Sequence, residues 1–237
     1  MKKNISRREW INKSATVIGG SFLGSMIGFS PLKGTTLLKE PVRMMYNENP
    51  YGPSDVAKRA MQKAFSESNL YTMRAALSEF KNLIAELNNV KTENVAIGFG
   101  SREILNKAAI MNGIDGGELI SPTLTFEAIN QFASKTMKTN VVRVPMTKEI
   151  GIDLKTTGQM VNSKTNMVYL CNPNNPTGAI MNPKELEVFC KETSKKSIVF
   201  VDEAYHEYVM DKQYRSMVSL VSEGYDVLIS RTASKVH

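Results

Sequence analysis

The sequence predicts an α/β protein organised around a buried, mostly parallel sheet. Three apolar runs, Met167–Cys171, Ile198–Val201 and Val227–Ser230, have strand length and lack the apolar/polar alternation of a half-exposed sheet. A helical segment, starting at Asn182 and Pro183, separates the first two runs, the spacing of a strand–helix–strand unit. Each run ends in a polar cluster: NPNNPTG (172–178), then Asp202-Glu203-Ala204-Tyr205, then Arg231 to Lys235. Ligands of open α/β sheets sit outside the carboxyl ends of the strands. Asn175, Asp202, Tyr205 and Lys235 are therefore expected along one edge, where a cofactor would be held.

Composition limits the alternatives. A chain of 237 residues with 42% hydrophobic and 22% charged content is ordinary for a globular protein. Its net charge of +7 is concentrated at the start, where residues 1–34 hold six basic side chains against Glu9. That segment has a net +5, which leaves +2 for the rest. No basic stripe with interleaved aromatics follows, so nucleic acid is not an expected partner. Cys171 and Cys190 have no metal-ligand spacing and read as small buried residues; no metal site is expected. His206 has no second histidine nearby and reads as a packing residue.

In chain order, residues 1–34 resemble a twin-arginine export signal. Arg7-Arg8 follows Ser6 and precedes Trp10 and Ile11, ahead of a short, Gly-rich apolar stretch from Ala15 to Phe29. Export to the periplasm or cell envelope is the resulting expectation. Residues 35–72 read as an extended arm and a first helix, with Pro41, Pro50, Gly52 and Pro53 preventing periodicity and Ser54 as the N-cap. Residues 73–237 read as the main domain. Its first helix, Arg74–Leu87, places Leu77, Phe80, Leu83, Ile84 and Leu87 on one face.

NVAIGFGSRE (94–103) reads as a strand, a glycine turn and a helix start. Open N–H groups at Gly98, Gly100 and Ser101, together with the helix dipole, favour an anion such as phosphate, with Ser101 and Arg102 as the expected donors. No P-loop lysine follows, which argues against a nucleoside triphosphate. A strand in GELIS (117–121), a helix from about Phe126, a strand Asn140–Val144 and a helix near Leu154–Asn162 complete the pattern.

Taken together, YNENPYGPS (46–54), GFGSRE, NPNNPTG, VDEAY (201–205) and T-x-S-K (232–235) resemble the fold-type I pyridoxal-phosphate enzymes, in the aminotransferase branch around histidinol-phosphate aminotransferase. The resemblance implies a three-layer α/β/α large domain, a homodimer, and pyridoxal 5'-phosphate as cofactor. It makes Lys235 the Schiff-base lysine and the base that moves the Cα proton. Asp202 becomes the partner of the ring nitrogen, and Asn175 and Tyr205 share the phenolic oxygen. Gly100, Ser101, Arg102, Thr232 and Ser234 hold the phosphate, helped by Tyr71 from the partner subunit, and Phe126 stacks on the ring. Substrates would be a small-molecule amino donor (an amino acid or amino-alcohol phosphate) and a 2-oxo acid. Threonine-phosphate decarboxylase shares these motifs and is the alternative chemistry.

The family pattern continues beyond the lysine with a G-L-A-G-L-R stretch and a small domain. The sequence is therefore expected to be a fragment, inactive and poorly soluble alone; a truncated binding protein is the alternative of another class.

Overall fold

The computed structural model describes residues 45–236. The twin-arginine-like segment and the first residues of the arm lie outside the described residues. Five strands form one parallel sheet: β1 (Glu118–Pro122), β2 (Asn140–Val144), β3 (Thr165–Cys171), β4 (Ile198–Asp202) and β5 (Val227–Ser230). Their order across the sheet is β2-β1-β3-β4-β5, and every neighbouring pair is parallel. The order reverses at β1, so the crossover helices are distributed over both faces.

Before the first strand come α1 (Asp55–Ala64), α2 (Arg74–Asn88) and α3 (Ser101–Gly113). The crossovers are α4 (Ala128–Thr136), α5 (Leu154–Met160), α6 (Pro183–Thr193) and the single turn α7 (Ser219–Ser222). Alternation along β3 feeds two cores. Val168 and Leu170 pack with Leu186, Phe189 and Leu220 of α6 and α7. Met167, Tyr169 and Cys171 face the other way, against Leu105 of α3 and Ile129 of α4. The result is the three-layer α/β/α arrangement that the apolar runs and the resemblance imply.

Local chemistry sets the helix starts. Ser54 Oγ accepts from the Ala57 N–H at 3.2 Å to cap α1. Asn182 Oδ1 accepts from the Lys184 and Glu185 amides, with Pro183 in the first turn of α6. The expected strand at 94–98 differs. Val95 has strand dihedrals (φ −102°, ψ 120°), but no ladder partner for this stretch exists among the described residues. Extended backbone without a paired neighbour is not a sheet strand. The helix expected from Phe126 starts at Ala128, and the one expected to reach Asn162 ends at Met160.

The apolar face of α2 is largely uncovered. Only Ala85 is buried in that helix, while Leu77, Phe80, Leu83 and Leu87 are exposed. Its periodicity gives it an apolar side that belongs to neither of the sheet's two cores.

A charged clamp ties the end of β5 to the rest. Glu203, fully buried, accepts from Arg231 at 3.0 Å, from Ser216 Oγ at 2.7 Å and from the Met217 N–H at 2.9 Å. Arg231 also donates to Asn88 Oδ1 at the end of α2. Arg231→Ala leaves the Glu203 carboxylate buried without its cation, at an expected cost of about 3 kcal/mol in urea unfolding. A loss below about 1 kcal/mol, the level of an exposed pair, would show that the clamp contributes little.

Candidate active site

Three successive strand ends converge at the carboxyl edge. β3 leads into NPNNPTG, β4 ends at Asp202, and β5 leads into Arg231–Lys235. Register places Cys171 beside Asp202 and Asp202 beside Ser230. The topological reversal beside β1 opens a crevice at this edge, where ligands of open sheets bind.

The 172–178 turn is held from within and from both sides. Asn172–Pro173 and Asn175–Pro176 are cis peptides. Asn174, 2% exposed, accepts from Thr125 Oγ1 at 2.8 Å and donates to the Leu124 carbonyl at 3.0 Å. Asn172 Oδ1 accepts from the Met181 N–H, and its carbonyl accepts from Tyr214 OH. Gly178 closes the turn at φ +72°, a conformation costly for residues with a Cβ. Asn175 is thereby left half-buried at the tip.

Asn175 Nδ2 donates to Tyr205 OH at 3.3 Å, and Asn47 Nδ2 from the arm donates to the same oxygen at 2.9 Å. With both lone pairs engaged, the Tyr205 O–H is free to donate outward. Burial raises the Tyr205 pKa, so the proton is retained. Lys235 Nζ stands 5.7 Å from the centre of the Tyr205 ring and donates to the Tyr46 carbonyl at 2.8 Å. Tyr208 OH donates to the Lys235 carbonyl, and Asn49 Nδ2 donates to the Val236 carbonyl. The arm segment 46–49 thus contacts both the lysine and the tyrosine.

Asp202 is 2% exposed, and burial raises its pKa. Hydrogen bonds from Ser230 Oγ, Tyr169 OH and the Ala204 N–H pull in the opposite direction. The neighbouring Cys171 thiol is pushed up to about 12 by burial and the Asp202 charge. It is a protonated packing group, as is Cys190, which burial also pushes up to about 12.

α3 must deliver its last residue to the start of β1 and therefore begins at the carboxyl edge. Gly100 is its N-cap, at φ +82° and ψ 158°. Only glycine is at ease there, and another residue would cost on the order of 1–3 kcal/mol. The Ser101 and Arg102 amides lie in a first turn that has no intrahelical acceptors. The Phe99 N–H is taken by Glu103 Oε2 at 2.6 Å. α3 also packs against β5, which leads to Thr232 and Ser234. Those two hydroxyls lie 2.9 Å apart.

Tyr71, the residue expected to act from a partner subunit, is 98% exposed before α2. Phe126, two residues before α4, is partly buried against the Leu105–Ile129 core. Conversely, Tyr169, Ser230, Asn174 and Asn47 escaped sequence reasoning. Tyr169 did give a signal: a hydroxyl inside an aliphatic strand needs a partner.

A cleft of about 590 Å³ opens beside the site, lined by Asn47, Pro50, Asn175, Tyr205, Tyr208 and Met210 among others. A second cleft of about 480 Å³, near Asn112, Asn166 and Ser197, lies at the amino-terminal edge, remote from this chemistry. Among the described residues, no His, Cys, Asp and Glu cluster could hold a metal ion. Likewise, no helix among them is long and apolar enough to cross a membrane.

The donor set suits a planar anionic cofactor with a basic ring nitrogen, an acidic oxygen and a phosphate. Asp202, the Asn175–Tyr205 pair and the start of α3 match those three groups in turn.

Residues 39–237 match the family model for aminotransferase class I and II. A histidinol-phosphate aminotransferase of Brevibacillus brevis is 35% identical over 202 residues, covering 84% of this chain and 54% of its own length. One from Moorella thermoacetica is 34% identical, with 84% and 51% covered. The chain thus spans about half the length of the curated relatives it matches. The histidinol-phosphate aminotransferase of Sinorhizobium meliloti, solved in complex with pyridoxal-5'-phosphate, superposes with a TM-score of 0.73 at 23% identity, covering 80% of this chain and 51% of its own.

Proposed function

The chain belongs to the class I and II aminotransferases, and from that premise we propose that it moves an amino group between an amino acid or amino-alcohol phosphate and a 2-oxo acid, using pyridoxal 5'-phosphate. The observation that carries this reading is the convergence of Asn175, Asp202, Tyr205 and Lys235 at the ends of three adjacent strands. Similar relatives from Brevibacillus brevis and Moorella thermoacetica are histidinol-phosphate aminotransferases, which supports a phosphorylated amino substrate.

Bound cofactor supplies an electron sink for the negative charge left when a bond at the substrate Cα breaks. The protein's part is to hold and orient. Asp202 is an acceptor for the proton on the ring nitrogen, worth about 1.5–3 kcal/mol as a charge-assisted hydrogen bond. Tyr205, fixed by Asn175 and Asn47, would donate a hydrogen bond to the phenolic oxygen. The amides at the start of α3 would receive the phosphate, with Thr232 and Ser234 as hydroxyl donors. Lys235 Nζ, once it leaves the Tyr46 carbonyl, is the base that takes and returns the Cα proton. The cleft lined by Tyr208, Ile180 and Met210 admits the substrate.

A homodimer is part of the proposal. Phe65, Leu70 and Met73 between α1 and α2, and Phe80 and Leu87 on α2, are large exposed apolar side chains, the kind a second copy would cover, and the exposed Tyr71 lies in the same stretch. Export is proposed from Arg7-Arg8 and the apolar stretch that follows.

After addition of pyridoxal 5'-phosphate and borohydride, peptide mass spectrometry is expected to find the pyridoxyl group on Lys235, and Lys235→Ala to take up none. Labelling of another lysine would overturn the assignment. Given an amino acid or an amino-alcohol phosphate as donor and 2-oxoglutarate as acceptor, the full-length protein is expected to form glutamate. Carbon dioxide without glutamate would mark a threonine-phosphate-type decarboxylase instead. Cell fractionation followed by sedimentation should recover a dimer from the periplasm or envelope, and Arg7→Lys with Arg8→Lys should leave it in the cytoplasm. A wild-type monomer, or one confined to the cytoplasm, would contradict the corresponding claim.

A further inference from the structure

The Asp202 carboxylate is held by neutral hydroxyls from both neighbouring strands. Tyr169 OH, fully buried in β3, lies 3.1 Å from Oδ2. Ser230 Oγ, at the end of β5, lies 2.7 Å from Oδ1, and the Ala204 N–H reaches the same oxygen at 3.3 Å. We propose that Tyr169 and Ser230 are positioning residues that hold Asp202 ionised and in one orientation, with one acceptor position on Oδ2 kept for the ring-nitrogen proton of the cofactor. This rests on the reading of Asp202 as the ring-nitrogen partner.

Acceptor counting supports the assignment. A carboxylate offers about four lone-pair sites. Two on Oδ1 are engaged by Ser230 and Ala204, and one on Oδ2 by Tyr169. One Oδ2 site remains, at the sheet edge where ligands bind. The donors also answer an electrostatic problem, because burial alone favours the neutral acid. The titratable groups around Asp202 are Tyr169 and Cys171 of β3, Tyr205 in the following turn, and Glu203, whose side chain points to the opposite face. None of these brings positive charge, and of the two cations that follow β5, Arg231 is paired with Glu203 on the opposite face and Lys235 Nζ donates to the Tyr46 carbonyl. Neutral donors must therefore stabilise the anion, and Tyr169 is a permanent one, since burial drives its pKa well above the ordinary tyrosine value.

Removing the Tyr169 hydroxyl leaves the ring and its packing against Phe200 in place, so a purely structural role would be little disturbed. The test uses the full-length protein labelled with [¹³C]carboxyl aspartate, with Asp202→Asn identifying the resonance. In the apo protein, Tyr169→Phe and Ser230→Ala are each expected to raise the Asp202 titration midpoint by about one pH unit. Each is also expected to weaken pyridoxal 5'-phosphate binding about tenfold to a hundredfold, the range for one hydrogen bond to a charged group. Ser230→Thr, which keeps a hydroxyl, should restore both readouts, and circular dichroism melts confirm that each variant is folded. An unchanged midpoint and unchanged affinity in folded Tyr169→Phe would overturn the proposal. Failure of the wild type to bind the cofactor would sink the reading of the site, while the apo titration would still decide whether the two hydroxyls hold Asp202 ionised.

Discussion

A carboxylate buried at the carboxyl end of a parallel strand is the constraint on which the rest of the site depends. Asp202 ends the central strand of the β3-β4-β5 trio and is almost wholly out of water. An ion in that position is tolerated only where donors surround it. β3 supplies a tyrosine hydroxyl, β5 a serine hydroxyl, and the turn after β4 a backbone amide. The register of three strands therefore sets the direction of one charge, and that charge selects what can bind at the edge.

The next residue solves the opposite problem on the opposite face. Glu203 is equally buried, but a guanidinium meets it, and Ser216 and the Met217 amide take up its remaining acceptor capacity. Among the described residues Asp202 has no ion-pair partner, whereas Glu203 is paired with Arg231. Two adjacent carboxylates thus divide into a group able to bind a ligand and a group that fastens the chain, and alternation along the strand separates them. Arg231 then carries the clamp from β5 to the end of α2, anchoring the segment that presents Lys235.

The arm completes the pattern. Asn47 and the Tyr46 carbonyl reach residues that lie almost 160 and 190 positions later in sequence, engaging Tyr205 and Lys235 respectively. Both arm residues have positive φ, 65° at Tyr46 and 50° at Asn47, an uncommon conformation for side chains other than glycine. Local backbone cost is borne where the arm meets Tyr205 and Lys235.

Much of this was legible in one dimension. Apolar runs of strand length, a Pro-started helix between two of them and polar residues after each run were enough to place a parallel sheet and its functional edge. Asn175, Asp202, Tyr205 and Lys235 were legible because residues at strand ends share an edge whatever the details of packing. The stretch 94–98 was read as a strand because its composition suits one, yet strand character depends on a hydrogen-bonded neighbour that local sequence does not encode. Tertiary structure decided that Asn174 secures the turn, that Phe126 is partly buried against a core, and that Tyr169 and Ser230 flank Asp202. Those outcomes follow from strand order and register, which bring together residues up to 61 positions apart. A sequence states which groups are available; only the folded sheet determines which of them meet.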